Sequence, residues 1–202
     1  MTQFDWARVL IACGVKPATA AMWAEPFAAA VRPEAFSVGM ADVRDFLGQA
    51  LHETAMLERL VENLNYSAER LVVVWPRRFP TLHDALPYAR SPERLAGKVY
   101  GGRLGNIEPG DGWLYRGRGI PQVTGRDNYA LVQRVTGMPV LVNPDMLAQP
   151  MDALRAGVAW WEKRVPDAVL GDVERVTLAV NGGTVGLDDR ERLTALAAKA
   201  LA

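Results

Sequence analysis

Apolar positions recur three and four residues apart through most of the chain, so helices dominate the expected fold. Phe4, Trp6, Val9, Leu10 and Cys13 predict an amphipathic helix over residues 1–13, with Thr2 as its N-cap. Gly14 to Pro17 ends it. A second helix is expected from Pro17 to Val31, with Met22, Trp23 and Phe27 inward and with Pro26 kinking or shortening it. The central pattern runs from Ser37 to Leu60. Its stripe is Phe46, Leu47, Ala50, Leu51, Thr54 and Leu57, and His52 and Glu53 lie beside it.

After Leu60 the text changes. Asn63, Asn65, Tyr66 and Ser67 form helices poorly and turns well, and a short hairpin is expected near residues 61–66. Further helices are expected over 67–74, near 82–86, from Pro92 with Ser91 as N-cap, over 128–136, 151–163 and 172–180, and from Leu187 to Leu201. Asn181-Gly182-Gly183 closes the helix before it. Residues 101–119 carry seven glycines and read as a long irregular segment, the kind of loop that is usually functional in a compact domain. No sustained alternation marks a strand, and the fold class is mainly α with at most a short β-hairpin.

Composition narrows the function. The chain has 202 residues, half of them hydrophobic, so a packed core is expected. Lys plus Arg equals Asp plus Glu at 23 each, which argues against a nucleic-acid binder. Cys13 is the single cysteine, so an intrachain disulfide and a cysteine-based zinc site are excluded. His52-Glu53 is followed by Met56 where a zincin carries its second His, so no metal is expected. No window holds the roughly 18 apolar residues of a spanning helix, so no stable membrane insertion is expected. Asp5, Arg8 and Lys16 interrupt the N-terminal apolar run, so no signal peptide is expected and the protein would be made in a cytoplasm. Nothing demands more than a monomer. Residues 1–35 read as a small helical lobe, a packing or wall-binding element, before a larger domain over 36–202.

The candidate chemistry is carboxylate chemistry. A glutamate in an apolar helix costs free energy to bury ionised, and desolvation raises a carboxyl pKa toward that of a general acid. Glu53 is that candidate. Two carboxyl groups can hydrolyse a glycosidic bond, one protonating the leaving oxygen and the other activating water. Glu58, Glu62, Glu108 and Asp111 are the candidates for the second. Nine residues turn a helix through about 900°, so Glu53 and Glu62 would face opposite ways on one straight helix. Glu62 can serve only if the helix stops near Leu60 and the chain turns back. Glu58 lies about 140° off the Glu53 face and reads as solvated or paired with Arg59 or Arg70.

Four stretches carry a family resemblance: His52-Glu53-Thr54, VENLNYSAERL at 61–71, YRGRGIPQVTGRDNY at 115–129, and Asn181-Gly182-Gly183 with Arg190 beyond. Together they resemble family 19 glycoside hydrolases, the lysozyme-like, two-lobed helical fold of plant-type chitinases, and are most similar to its bacteriophage endolysin branch. The resemblance covers residues 40–195. It implies Glu53 as general acid, Glu62 as second carboxylate and Thr124 as a holder of the attacking water. It implies substrate contacts from His52, Tyr66, Gln122, Asn128 and Asn181, a cleft wall shaped by Tyr115 and Arg118, and a pairing of Arg190 with a catalytic carboxylate. Asn and Gln suit N-acetyl sugars, whose amides and hydroxyls need donor and acceptor together. The sequence departs from the family at Leu57, where many members carry an aromatic, and at Ile120-Pro121.

The implied function is an endolysin that cuts the peptidoglycan glycan strand as a muramidase, by an inverting mechanism and without a cofactor. Release to the cell wall would await a holin-type lesion in the host membrane. Two alternatives stand beside it: a chitinase acting on chitin oligomers, and a non-catalytic cell-wall binding protein.

Overall fold

The computed structural model describes residues 4–202. Among the described residues eleven α-helices follow in order: α1 (Trp6–Ala12), α2 (Pro17–Ala30), α3 (Met40–Glu53), α4 (Ala68–Val74), α5 (Leu82–Ala85), α6 (Pro92–Tyr100), α7 (Asp111–Leu114), α8 (Arg126–Thr136), α9 (Pro150–Arg164), α10 (Val173–Asn181) and α11 (Leu187–Ala200). The chain divides into two compact units. The first comprises Met1–Leu60, Gly119–Gln122 and Asp145–Ala202; the second comprises Val61–Arg118 and Val123–Pro144. Among the described residues no helix is long and apolar enough to cross a membrane.

The first unit holds α1–α3 and α9–α11 around one apolar cluster that includes Trp6, Trp23, Phe27, Phe46, Leu51 and Trp161. Asp5 caps α1 by accepting from the Arg8 N–H; the expected Thr2 cap lies outside the described residues. Helix α2 runs on through Pro26 to Ala30. Its buried face is Ala20, Trp23, Phe27 and Ala30, at three- and four-residue spacing, and packing of that face outweighs the backbone hydrogen bond that Pro26 cannot make. Met22 lies off that stripe and is exposed, so it is not a core residue.

Helix α3 packs along α11, and Gly48 sets the distance. A β-carbon there would stand 2.1 Å from Thr194 Oγ1 and 2.9 Å from the Thr194 backbone. Buried polar groups fix the other end of α3. Asp42 accepts from the Trp161 indole N–H and from the Val38 N–H, each at 2.8 Å. Asp45 accepts from the Gly171 N–H at 2.7 Å, and burial raises its pKa above the ordinary aspartate value.

The expected central helix is shorter than its pattern. It ends at Glu53, and Thr54 is its C-cap. The Thr54 hydroxyl donates to the Ala50 carbonyl at 2.7 Å and accepts from the Leu57 N–H at 2.9 Å. Ala55, Met56 and Leu57 then take left-handed backbone conformations, which no continuing helix allows. Thr54 and Leu57 are buried as the stripe predicts, but they sit in a turn.

The second unit holds α4–α8 around Leu64, Leu71, Phe79, Ala85, Leu95 and Val99. Ser67 caps α4 through its side chain. The expected hairpin within 61–66 is absent. Val61 instead bridges to Arg118, which bridges in turn to Val123, and these isolated pairs make no sheet among the described residues.

Candidate active site

Glu53 occupies the last position of α3, so its backbone is helical while its side chain reaches the surface of the first unit. Its carboxylate is 23 % exposed and accepts at Oε1 from Nη2 of Arg190, 2.5 Å away. Arg190 comes from the first turn of α11 and is itself buried. Its three nitrogens have three different tasks. Nε donates to the Val185 carbonyl at 3.2 Å, Nη1 donates to Oε1 of Gln49, and Nη2 holds Glu53. Gln49 is buried one helical turn before Glu53 and donates from Nε2 to the Thr177 hydroxyl at 3.2 Å. A buried guanidinium satisfied on all sides is a fixed cation, and a fixed cation fixes the carboxylate it holds. Oε2 of Glu53 makes no hydrogen bond among the described residues.

His52 is anchored separately. Its Nδ1 lies 2.7 Å from Oδ2 of Asp189, whose Oδ1 accepts from Arg192 at 2.7 Å. The hydrogen bond to His52, and then that to Arg192, hold the Asp189 carboxyl below the usual aspartate range. Gly186 packs on the other side of the ring, where a β-carbon would stand 2.4 Å from it. Asn181 ends α10 and is exposed, with its Nδ2 3.5 Å from the Gly183 carbonyl. Gln122 is exposed on the same unit.

The second unit positions Glu62. Its N–H donates to the Gly117 carbonyl at 3.0 Å. Its Oε1 accepts from the Gly117 N–H at 2.5 Å and its Oε2 from the Tyr100 hydroxyl at 2.7 Å. Burial, and then the Glu62 charge, push the Tyr100 phenol well above its ordinary pKa, so Tyr100 stays a donor. Thr124 is half-buried, and its carbonyl accepts from Nδ2 of Asn128 at 2.7 Å. Tyr66 is half-buried and stands edge-on to Trp75, with ring centres 5.3 Å apart.

Tyr115 and Arg118 lie within the second unit. Both are buried, at 3 % and 1 % exposure. The Tyr115 hydroxyl donates to the Leu141 carbonyl, and Arg118 Nη1 donates to the Leu114 carbonyl and the Tyr129 hydroxyl. They hold the loop from inside. Two of the other candidate carboxylates are occupied elsewhere, and Glu108 is exposed. Glu58 is exposed and pairs with Lys16 at 2.6 Å, not with Arg59 or Arg70. Asp111 is buried, accepts from the Ile107 and Glu108 N–H groups and pairs with Arg126.

Sequence reasoning missed Gln49, Asp189 and Tyr100. Gln49 carried a signal, because four residues before Glu53 is the same helix face. Tyr100 carried none, since only the fold brings it to a residue 38 positions away.

No family model matches the chain. A glycosyl hydrolase family 19 domain-containing protein of Haemophilus influenzae is 41 % identical over 150 residues, which are 73 % of this chain and 74 % of that protein. An endochitinase of Arabidopsis thaliana is 34 % identical over 70 residues, 34 % of this chain and 25 % of that protein. Among solved structures, chitinase C from Streptomyces griseus has a similar lysozyme-like helical fold. It aligns with a TM-score of 0.61 at 16 % identity, over 97 % of this chain and 91 % of that one.

Proposed function

The chain belongs to glycosyl hydrolase family 19 and is a glycoside hydrolase, and from that premise we propose that it cleaves the glycan strand of bacterial peptidoglycan as a muramidase-type endolysin. The observation that carries the chemistry is the Glu53–Arg190 pair. One carboxylate oxygen is held by a buried cation while the other accepts no hydrogen bond among the described residues, which leaves it available to a substrate.

In the proposed reaction Glu53 is the general acid and Glu62 the second carboxylate. Glu53 gives its proton to the glycosidic oxygen as the bond to the anomeric carbon breaks. A water molecule attacks that carbon from the opposite face and passes its proton to Glu62, inverting the configuration. Each oxygen of Glu62 accepts one protein hydrogen bond, and each retains capacity for a second acceptor contact with water. The Thr124 hydroxyl helps hold that water. Gln122, Asn128 and Asn181 hydrogen-bond the sugar amides and hydroxyls. His52, with Nδ1 engaged by Asp189, offers Nε2 to the substrate. Tyr115 and Arg118 keep the 115–129 loop in shape.

The run Glu62-Asn63-Leu64-Asn65-Tyr66-Ser67-Ala68, which resembles the endolysin branch, supports peptidoglycan as the substrate. Chitin is the second reading, supported by the chitinase names of an aligned sequence and an aligned structure. Turnover of purified peptidoglycan and of chitin oligomers, measured side by side as new reducing ends, separates the two. Faster release from peptidoglycan is expected, and faster release from chitin reverses the choice.

A further inference from the structure

The formal charge of zero conceals a division. The second unit carries eleven Lys or Arg against seven Asp or Glu, a formal charge of +4, and the first unit carries twelve against sixteen, −4. Part of that positive charge lines one groove. The groove, of about 630 Å³, is bounded by Val74, Trp75, Pro76, Arg77, Arg78 and Arg103. Three of those six residues are arginines and none is acidic.

Among the described residues no carboxylate pairs with them. Arg78 Nη1 donates to the Lys98 carbonyl at 3.2 Å and Arg103 Nη1 to the Val99 carbonyl at 3.5 Å, both neutral acceptors. Arg77 is exposed, and none of the three forms an ion pair among the described residues. Two carbonyls tether two of the guanidinium groups without consuming their charge. A tethered, unneutralised guanidinium in a groove with an apolar wall is a receptor for a carboxylate, which it can bind through two parallel N–H groups.

The groove adjoins the proposed sugar-binding residues of the same unit. Trp75 forms its wall and stands edge-on to Tyr66. The Arg103 N–H donates to the Tyr100 carbonyl at 3.2 Å, and the Tyr100 hydroxyl donates to Glu62. A glycan bound along Tyr66 and Glu62 would therefore carry its side groups toward these arginines.

We propose that the groove formed by Trp75, Arg77, Arg78 and Arg103 binds carboxylates of the stem peptides that branch from a peptidoglycan strand. The proposal rests on the peptidoglycan reading and deepens it. Chitin has neutral repeats and offers this groove nothing, whereas each stem peptide brings several carboxylates beside the sugar chain. The volume suits a peptide residue, where an inorganic ion would leave it largely empty.

The test is equilibrium binding of the full-length Glu53→Gln protein to purified sacculi in three states: intact, stripped of stem peptides by an amidase, and with carboxyls chemically amidated. Binding about tenfold weaker to both treated forms is expected, the loss of about one charge-assisted contact. The double variant Arg77→Ala/Arg103→Ala, checked for an unchanged melting temperature, should bind all three forms alike. The single variant Arg77→Lys should recover part of the preference. Equal binding of Glu53→Gln to intact and amidated sacculi overturns the proposal. So does a preference for intact sacculi that survives in the double variant, which would place the anion site elsewhere. Failure of the peptidoglycan reading itself shows differently, as no reducing ends released from sacculi by the wild-type enzyme.

Discussion

Nη2 of Arg190 stands 2.5 Å from Oε1 of Glu53, and the arginine that makes this contact is almost wholly buried. The pair joins the end of α3 to the start of α11. Replacing the arginine by lysine keeps the charge and loses the fork that serves Val185, Gln49 and Glu53 at once. Arg190→Lys is expected to lower kcat at least tenfold, with KM changed less. Arg190→Ala is expected to cost about 3 kcal/mol of stability as well, because Gln49 and Glu53 lose a buried partner. Wild-type kcat in Arg190→Lys would remove the arginine from the chemistry.

Tyr100 acts on the other carboxylate. Its hydroxyl is the donor to Oε2 of Glu62, and the phenol remains protonated through any working pH. Tyr100→Phe keeps the ring in place and removes that donor. The expected result is a fall in kcat/KM of about tenfold, the size of a hydrogen bond to a charged group. Unchanged kcat/KM would mean that Glu62 is positioned by Gly117 alone.

The α3–α11 contact depends on a missing side chain. Gly48→Ala would drive a β-carbon into Thr194, including its backbone, at under 3 Å. A loss of about 1–3 kcal/mol is expected from this overpacking, read as a lowered denaturation midpoint. Activity should fall too, because Glu53 rides on one helix and Arg190 on the other. Restoring space with Thr194→Ser should not rescue the variant, because the Thr194 backbone is itself too close.

Asp45 gives a pH-dependent prediction with a definite sign. Burial raises its folded-state pKa, so the folded protein binds this proton more tightly than the unfolded chain does. Its favourable contribution is fully present below the ordinary aspartate pKa and is lost as pH rises through the raised folded value. At neutral pH the ionised, buried group is a burden. Asp45→Asn, which keeps an oxygen for the Gly171 N–H, is expected to melt at or above the wild-type temperature at pH 7. That advantage should shrink as pH is lowered below about 4. A melting temperature well below wild type at pH 7 contradicts this.

Much of the fold was legible, because most of its helices bury one face at regular spacing. The stripe of Phe46, Leu47, Ala50 and Leu51 predicts the buried side of α3, and the helix expected over 151–163 is α9. The end of α3 was not legible. Residues 55–60 favour helix by propensity, and the stop is made by two Thr54 side-chain hydrogen bonds and three left-handed residues. Local preference lost there to tertiary structure. The same stop puts Glu53 at a helix end, partly open to solvent, where the sequence pattern alone placed it inside a buried helix.

Motifs singled out Glu53, Glu62 and Arg190, and the structure ties Arg190 to Glu53. Tyr115 and Arg118 were marked by the same motifs, but motif membership does not separate a residue that touches substrate from one that supports the loop. Burial places Tyr115 and Arg118 inside the loop's packing. Val61 was read into a local hairpin because turn-forming residues follow it. Its partner, Arg118, lies far along the chain, and pairing over that distance leaves no trace in local composition.

The central claim is tested by digesting purified peptidoglycan with the wild-type protein and with Glu53→Gln, and identifying the new reducing ends by mass spectrometry. Reducing N-acetylmuramic acid ends from wild type, and none from a Glu53→Gln protein with an unchanged melting curve, is the predicted result. Ends released equally by both proteins would remove Glu53 from the mechanism and contradict the account.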